Sequence, residues 1–133
     1  MDRKSLKMVD YPLLLTFVFF FVFSGNMARI DAVRQLFSML LEKSTLLFSV
    51  LSCQVISNVP SAILLSQFTG NYRELLLGVN IGGVGTLLAS LASLITLKFY
   101  MRWPGAKILR FLGYFTVVNV IALVILLLFA QLM

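Results

Sequence analysis

The sequence predicts an all-α integral membrane protein: three transmembrane helices, one of them interrupted, together with a re-entrant helical hairpin and an interfacial helix. Three observations lead there. Of the 133 residues, 60% are hydrophobic and only 12% charged, about half the charged share of soluble domains, and the mean hydropathy is +1.00. Four long windows, 11–28, 44–72, 75–97 and 111–133, contain no charged residue. The net charge of +6 is gathered between those windows, which is the pattern of membrane topology and not of nucleic-acid binding.

Window length separates spans from everything else, because about 20 helical residues cross a hydrocarbon core of about 30 Å. The windows of 18, 23 and 23 residues at 11–28, 75–97 and 111–133 each fit one crossing, and Pro12 falls in a first helical turn, where proline is tolerated. The 29 residues of 44–72 do not fit. As a helix they would reach about 43 Å, too long for one upright crossing and too short for two. The same window holds Ser49, Ser52, Gln54, Ser57, Asn58, Ser61, Ser66 and Gln67, and Pro60 breaks a helix near its middle. Lipid cannot solvate a broken backbone, so a hairpin facing protein or a water-filled cavity is expected here.

Charge gives a second route to the same result. Seven of the eleven basic residues lie in two clusters, Arg3, Lys4, Lys7 and Lys98, Arg102, Lys107, Arg110, and both clusters should be cytoplasmic. An even number of crossings must separate them; 11–28 and 75–97 supply two, which leaves none for 44–72. The expected order is a cytoplasmic start at 1–10, a span at 11–28, an interfacial helix at 30–43, the hairpin at 44–72, an interrupted span at 73–98, a cytoplasmic loop at 99–110 and a span at 111–133 with Met133 outside. Ile30, Val33, Phe37, Leu40 and Leu41 recur at helical spacing while Arg34, Gln35, Ser38 and Glu42 fall elsewhere, as an interfacial helix requires. Trp103-Pro104-Gly105 marks a tight turn, with Trp103 an interface anchor. No linker, low-complexity tract or short repeat divides the chain, so it forms one membrane unit.

Several functions lack their residues. Cys53 is the single cysteine and there is no histidine, so an internal disulfide or a zinc set is excluded and Cys53 is assigned to packing. The basic start followed by apolar 11–23 resembles a signal peptide, but Phe23-Ser24-Gly25 and Asn26-Met27-Ala28 are poor cleavage sites. No nucleophile–base pair is visible, and Gly82-Gly83-Val84-Gly85-Thr86 lacks the lysine of a phosphate-binding loop. The chain is therefore not expected to be an enzyme or to need a cofactor beyond a coupling ion.

Two clusters place polar or flexible backbone where a bilayer normally forbids it. The first is Ser57-Asn58-Val59-Pro60-Ser61 at the hairpin tip, where Asn58 both donates and accepts, Ser57 and Ser61 add hydroxyls, and the helix restarting after Pro60 directs amides at the tip. The second is Gly78-Val79-Asn80-Ile81-Gly82-Gly83-Val84-Gly85-Thr86. Its glycines each cost a helix about 1 kcal/mol relative to alanine, which predicts an interruption, with carbonyls freed for Na⁺ and a new helix N-terminus at Thr86 to Ala89 open to an anion. A Na⁺ site built from Ser57, Asn58 and Asn80, with Gly82, Gly83 and Gly85 turning carbonyls inward, is the sharpest expectation. The plainer alternative is that Gly78-x-x-x-Gly82 and the small face of Ala89, Ser90, Ala92 and Ser93 only let helices pack closely.

Both stretches resemble the C-terminal half of the ion transporter superfamily, which includes arsenite permeases, sodium:proton antiporters and citrate and divalent-anion symporters. The resemblance extends over roughly Asp10 to Met133. It implies half of an inverted-repeat transporter, in which a Ser-Asn-Thr-like hairpin tip and a following interrupted helix bind a small inorganic or organic ion. Ser57-Asn58-Val59 matches the first two tip positions, and Asn80 to Thr86 matches the glycine-rich interruption. Val59 stands where carboxylate symporters present Thr, and Ser57 stands where arsenite-type members carry Asp, so the substrate is left open. Asp2, Asp10, Asp31, Glu42 and Glu74 all lie in flanks, which leaves no proton relay within a span and favours Na⁺ coupling.

Such transporters form their site between two inverted repeats, whereas this chain supplies one hairpin and one interrupted helix. Function as part of a secondary active transporter in the cell (inner) membrane, an anion permease or an ion antiporter or symporter, would thus need a separate N-terminal half, with dimerisation a further contact. The competing class is a small structural or interaction protein of the membrane that moves nothing. The hairpin has a direct check: in a Cys53→Ala background, Ser44→Cys and Tyr72→Cys should each label with an impermeant thiol reagent from the same, outer side, and labelling from opposite sides would make 44–72 a span.

Overall fold

A computed structural model describes residues 11–133, which are helical throughout with no strand among them; the expected cytoplasmic start at 1–10 lies outside the described residues. The phenylalanine-rich α1 (Tyr11–Met27) begins with Pro12 in its first turn, and Thr16 Oγ1 donates to the Pro12 carbonyl at 2.9 Å. α2 (Asp31–Lys43) follows after a bend of 95°, and Arg34 Nη2 holds the corner by donating to the Ala28 carbonyl at 2.9 Å. Asp31 in its first turn and Lys43 in its last complement the helix dipole. The apolar face expected to lie in the membrane interface packs inward instead. Leu41 is buried, and Phe37 stacks on Phe68 at 5.0 Å and meets Phe48 edge-on at 5.7 Å.

Ser44 closes α2 and caps α3 (Thr45–Ile56), accepting from the Leu47 amide at 3.3 Å. α3 stops at Ile56 for a reason encoded four residues later. Pro60 has no N–H to give the Ile56 carbonyl, and its ring would collide with that carbonyl in a continuing helix. The break therefore lies at Ser57, three residues before the proline expected to mark it, and Pro60 sits in the first turn of α4 (Asn58–Leu65), where its missing N–H costs nothing. At 12 and 8 residues, α3 and α4 reach about 18 and 12 Å, each well short of a hydrocarbon core of about 30 Å. The two helices are joined by Ser61 Oγ donating to Ser52 Oγ at 3.1 Å. Ser24 of α1, itself buried, donates to the Ile63 carbonyl of α4 at 3.2 Å.

α5 (Tyr72–Gly82), capped by Asn71, lies against α3. The contact is close because two glycines allow it. A Cβ at Gly78 would stand 2.6 Å from Ser49 Cβ and 2.8 Å from the Leu46 carbonyl, and one at Gly82 would stand 2.9 Å from both Val50 Cα and Cys53 Sγ. The plain packing role of this Gly-x-x-x-Gly pair is thus fulfilled. Cys53 is wholly buried, and with Leu41, Leu65, Leu75 and Val79 it forms the core.

Beyond Gly82 the helix is interrupted, a 3-10 turn follows at Leu87–Ala89, and α6 (Leu91–Tyr100) restarts behind Ser90, whose hydroxyl accepts from the Ala92 amide at 3.2 Å. The new helix therefore begins later than the expected 86–89. The turn to α7 contains Gly105 at φ +90° and an exposed Trp103. Tyr100 stacks on Phe111 at 4.6 Å, and its hydroxyl accepts from the Lys107 amide at 3.3 Å. α7 (Ile108–Leu132), 25 residues long, is long and apolar enough to cross a membrane, and none of its residues is buried. An apolar surface of that extent is stable only against lipid or other protein.

Gly78→Val should force α3 and α5 apart at a cost of about 1–3 kcal/mol, read as a lower unfolding midpoint of the detergent-solubilised protein. Gly113→Ala, with open space around the added methyl, should leave that midpoint unchanged or raise it slightly.

Candidate functional site

The α3–α4 tip and the break after α5 meet because α3 packs along α5 and both interruptions fall at the same end of that contact. At the tip, Ser57 adopts φ 73°, ψ 158°, and it is the single non-glycine residue at positive φ among those described. That region is nearly reserved for glycine and costs of order 1–3 kcal/mol, a strain that persists only where surrounding structure enforces it. Here the enforcement comes from both sides. The Ser57 amide donates to Cys53 and its carbonyl accepts from Ser61, while its hydroxyl reaches the Ala89 carbonyl across the break at 3.4 Å.

Asn58 turns its Oδ1 back to accept from the Val59 amide at 2.9 Å, which leaves its Nδ2 free to point outward. That nitrogen lies against Gly83, where a Cβ would approach it to 2.9 Å, and it donates no hydrogen bond to any described residue. The opposite wall is backbone. In an unbroken helix the Val84 amide would bond the Asn80 carbonyl; Gly83 N still makes its regular helical bond to Val79 O at 3.1 Å, but Val84 N bonds Ile81 O at 3.0 Å. The Asn80 carbonyl is skipped. It lies 3.4 Å from the place a Gly83 Cβ would take, so an unused acceptor and the unused Asn58 donor flank the bare α-carbon of Gly83.

The predicted residues thus divide. Ser57, Asn58, Gly83 and the Asn80 carbonyl are brought together, with Val59 exposed beside them. The Asn80 side chain is not: it is exposed, and its Nδ2 donates to Leu76 O of its own helix at 2.7 Å. Ser61 is fully buried in the α3–α4 contact, away from the tip surface. Gly82 serves the close approach to Val50 and Cys53. The Thr86 amide, expected to be open to an anion, is taken at 2.8 Å by Gln54 Oε1.

Gln54 is the residue sequence reasoning missed. Its polarity within an apolar window was visible, but its position opposite residues 82–86 depends on the α3–α5 register, which no local pattern encodes. Elsewhere, a cleft of about 510 Å³ between α2, α3 and the 66–71 segment is lined by Glu42, Lys43, Thr69, Asn71 and Glu74. Among the described residues no cluster of metal-ligating side chains occurs.

The chain is 39% identical over 124 residues, 92% of its length, to the uncharacterized transporter MJ0456 of Methanocaldococcus jannaschii. It is 37% identical over 99 residues, 72% of its length, to the inner membrane protein YbiR of Escherichia coli (strain K12). It spans 34% and 27% of those two proteins. No family model and no solved structure matches it. These similarities relate the chain to transporter-like membrane proteins and agree with the apolar helices in giving it a membrane location.

Proposed function

We propose that the chain is part of a secondary active transporter, an anion permease or an ion antiporter or symporter, whose ion site lies between the hairpin tip and the helix break. One observation carries this reading: two separate interruptions of the backbone meet at Gly83, where the unused Asn58 Nδ2 and the unused Asn80 carbonyl both lie near the place a Cβ would take. Within a bilayer an unpaired backbone carbonyl costs several kcal/mol, so the arrangement is sensible where it exchanges hydrogen bonds for ligation. Helix breaks of this kind are the usual device by which transporters present backbone to ions at mid-depth. Carbonyl and hydroxyl oxygens suit a hard cation such as Na⁺, and the Asn58 donor suits an accompanying anionic group.

The transporter names of the relatives support this reading, and the fraction of their length that the chain spans supports a second half supplied by further sequence or another chain. The basic clusters orient it with residues 1–10 cytoplasmic and Met133 outside. Lipid and a small ion are its partners, and dimerisation is a further proposed contact. Nothing in the charge pattern calls for nucleic acid, and no side-chain set calls for enzymatic chemistry.

Binding of radioactive sodium to the assembled transporter tests the site. Gly83→Ala, whose methyl would stand 2.9 Å from Asn58 Nδ2 and 3.4 Å from the Asn80 carbonyl, fills the site and should raise the half-saturating Na⁺ concentration about tenfold, the worth of one polar contact to a charge. Asn80→Ala should change it less than about twofold, since the carbonyl survives the substitution. An unchanged Gly83→Ala, or an Asn80→Ala as damaging as Gly83→Ala, would count against this geometry.

A further inference from the structure

The helix break is held by a side chain that does not belong to it. Gln54, on α3 three residues before the strained Ser57, reaches across to α5 with its one carboxamide. Its Nε2 donates to the Gly82 carbonyl at 2.8 Å and to the Val84 carbonyl at 3.4 Å, and its Oε1 accepts from the Thr86 amide at 2.8 Å. The Gln54 backbone carbonyl then accepts from Thr86 Oγ1 at 3.2 Å. The residue therefore touches the chain before, within and after the gap. Gly85, at φ +135°, gives it room: a Cβ there would lie 3.0 Å from Gln54 Cδ and 3.1 Å from Nε2. A fifth contact, Nε2 to the Val50 carbonyl at 3.3 Å, ties the same amide to its own helix, its two N–H hydrogens being shared among three carbonyls.

We infer that Gln54 is a positioning residue that keeps the break open, and that its carboxamide thereby fixes where the Asn80 carbonyl stands relative to Asn58. The second part rests on the reading of tip and break as an ion site; the first does not. The physical alternative to the open break is a closed helix, in which Val84 N would return to Asn80 O and consume the free acceptor. Gln54 opposes that closure by satisfying Gly82, Val84 and Thr86 in the open form, groups that would otherwise stand unpaired in apolar surroundings. Only an amide can do this. It offers a donor and an acceptor side by side, whereas leucine offers neither and an ionised carboxylate offers acceptors only. Since Gln54 and Ser57 share one end of α3, the strut also makes the tip and the break move together, and the two walls of the site keep their spacing.

The experiment is amide hydrogen exchange of residues 83–90 in the assembled transporter, each variant compared with wild type at the same pH. Gln54→Leu should speed exchange there about tenfold or more, the loss of two or three hydrogen bonds. Gln54→Glu keeps the shape and separates packing from hydrogen bonding. With the carboxyl protonated it retains one donor and one acceptor and should match wild type; as pH rises and it ionises, its charge faces the Gly82 and Val84 carbonyls and exchange should climb. A Gln54→Glu protein that matches wild type at pH values where its infrared carboxylate band shows the side chain ionised, or a Gln54→Leu protein within about twofold of wild type, overturns the strut. Replacing choline chloride by sodium chloride in the same experiment tests the dependent part. Wild type should show slower exchange with Na⁺, and Gln54→Leu should need severalfold more Na⁺ for the same protection. If Na⁺ protects wild type and Gln54→Leu equally, the link between strut and site is refuted. No Na⁺ effect in wild type refutes the ion reading itself, and the pH series then decides the strut alone.

Discussion

Everything distinctive in this molecule depends on how closely α3 approaches α5. Two glycines one helical turn apart remove the side chains that would hold the helices apart, and the backbone of Leu46 and Val50 occupies the space where Cβ atoms would stand. At that separation Cys53 is wholly buried in the contact, and a glutamine is long enough to cross it. With one larger residue at Gly78, the core of Leu75, Val79, Cys53 and Leu65 would loosen. Gln54 would then fall short of Gly82, and the break would lose the partner that stabilises it. Close packing is thus the cause of the polar arrangement, and not an alternative explanation of the same glycines.

Proline and glycine divide the two interruptions between them by different physics. Pro60 acts at a distance of four residues, ending α3 at Ile56 by denying its carbonyl a donor, and the chain absorbs the consequence in the strained Ser57. The α5 break instead arises from low helix propensity at Gly82, Gly83 and Gly85, and from a competing partner that rewards the open form. The first interruption is compulsory. The second is conditional, and it is the one whose closure would alter the exposed acceptor.

Much of this was legible in the sequence. The charge-free window 111–133 falls on the long apolar helix 108–132, glycine density falls on the break after Gly82, and the apolar face of α2, which the spacing assigns to the membrane interface, instead turns Phe37 and Leu41 inward toward Phe48 and Phe68. What remained hidden was register. Residue type is what a sequence displays, so it points to the Asn80 side chain, yet the group that lies with Asn58 at Gly83 is the Asn80 carbonyl, which any residue would carry. Ser61 was grouped with the tip because it is near in sequence, but one turn into α4 it faces Ser52 and α3. Gln54 looked like one polar residue among eight in its window, and only the pairing of α3 with α5 distinguishes it.

The site as it stands is open on one side. Val59 is 42% exposed, the Asn80 side chain is exposed, and Ser57, Asn58 and Gly83 are only half-buried. Facing lipid, these groups would be left without hydrogen-bond partners at a depth where each unpaired group costs several kcal/mol. Facing water alone, the strain at Ser57 would bring no compensating gain, because solvated oxygens hold an ion no better than bulk water does. The arrangement is favourable if a second surface covers the tip and the break, excludes most of the water and leaves the Asn80 carbonyl to replace water around a cation and the Asn58 amide to replace it around an anionic group. In the proposed transporter that surface is the other half, and the sequence of the two relatives that lies beyond the matched stretch is where it would be encoded. On the proposed reading the exposed polar tip, the strained serine and the skipped carbonyl would have one common cause, as the inner wall of a cavity whose outer wall is another part of the transporter.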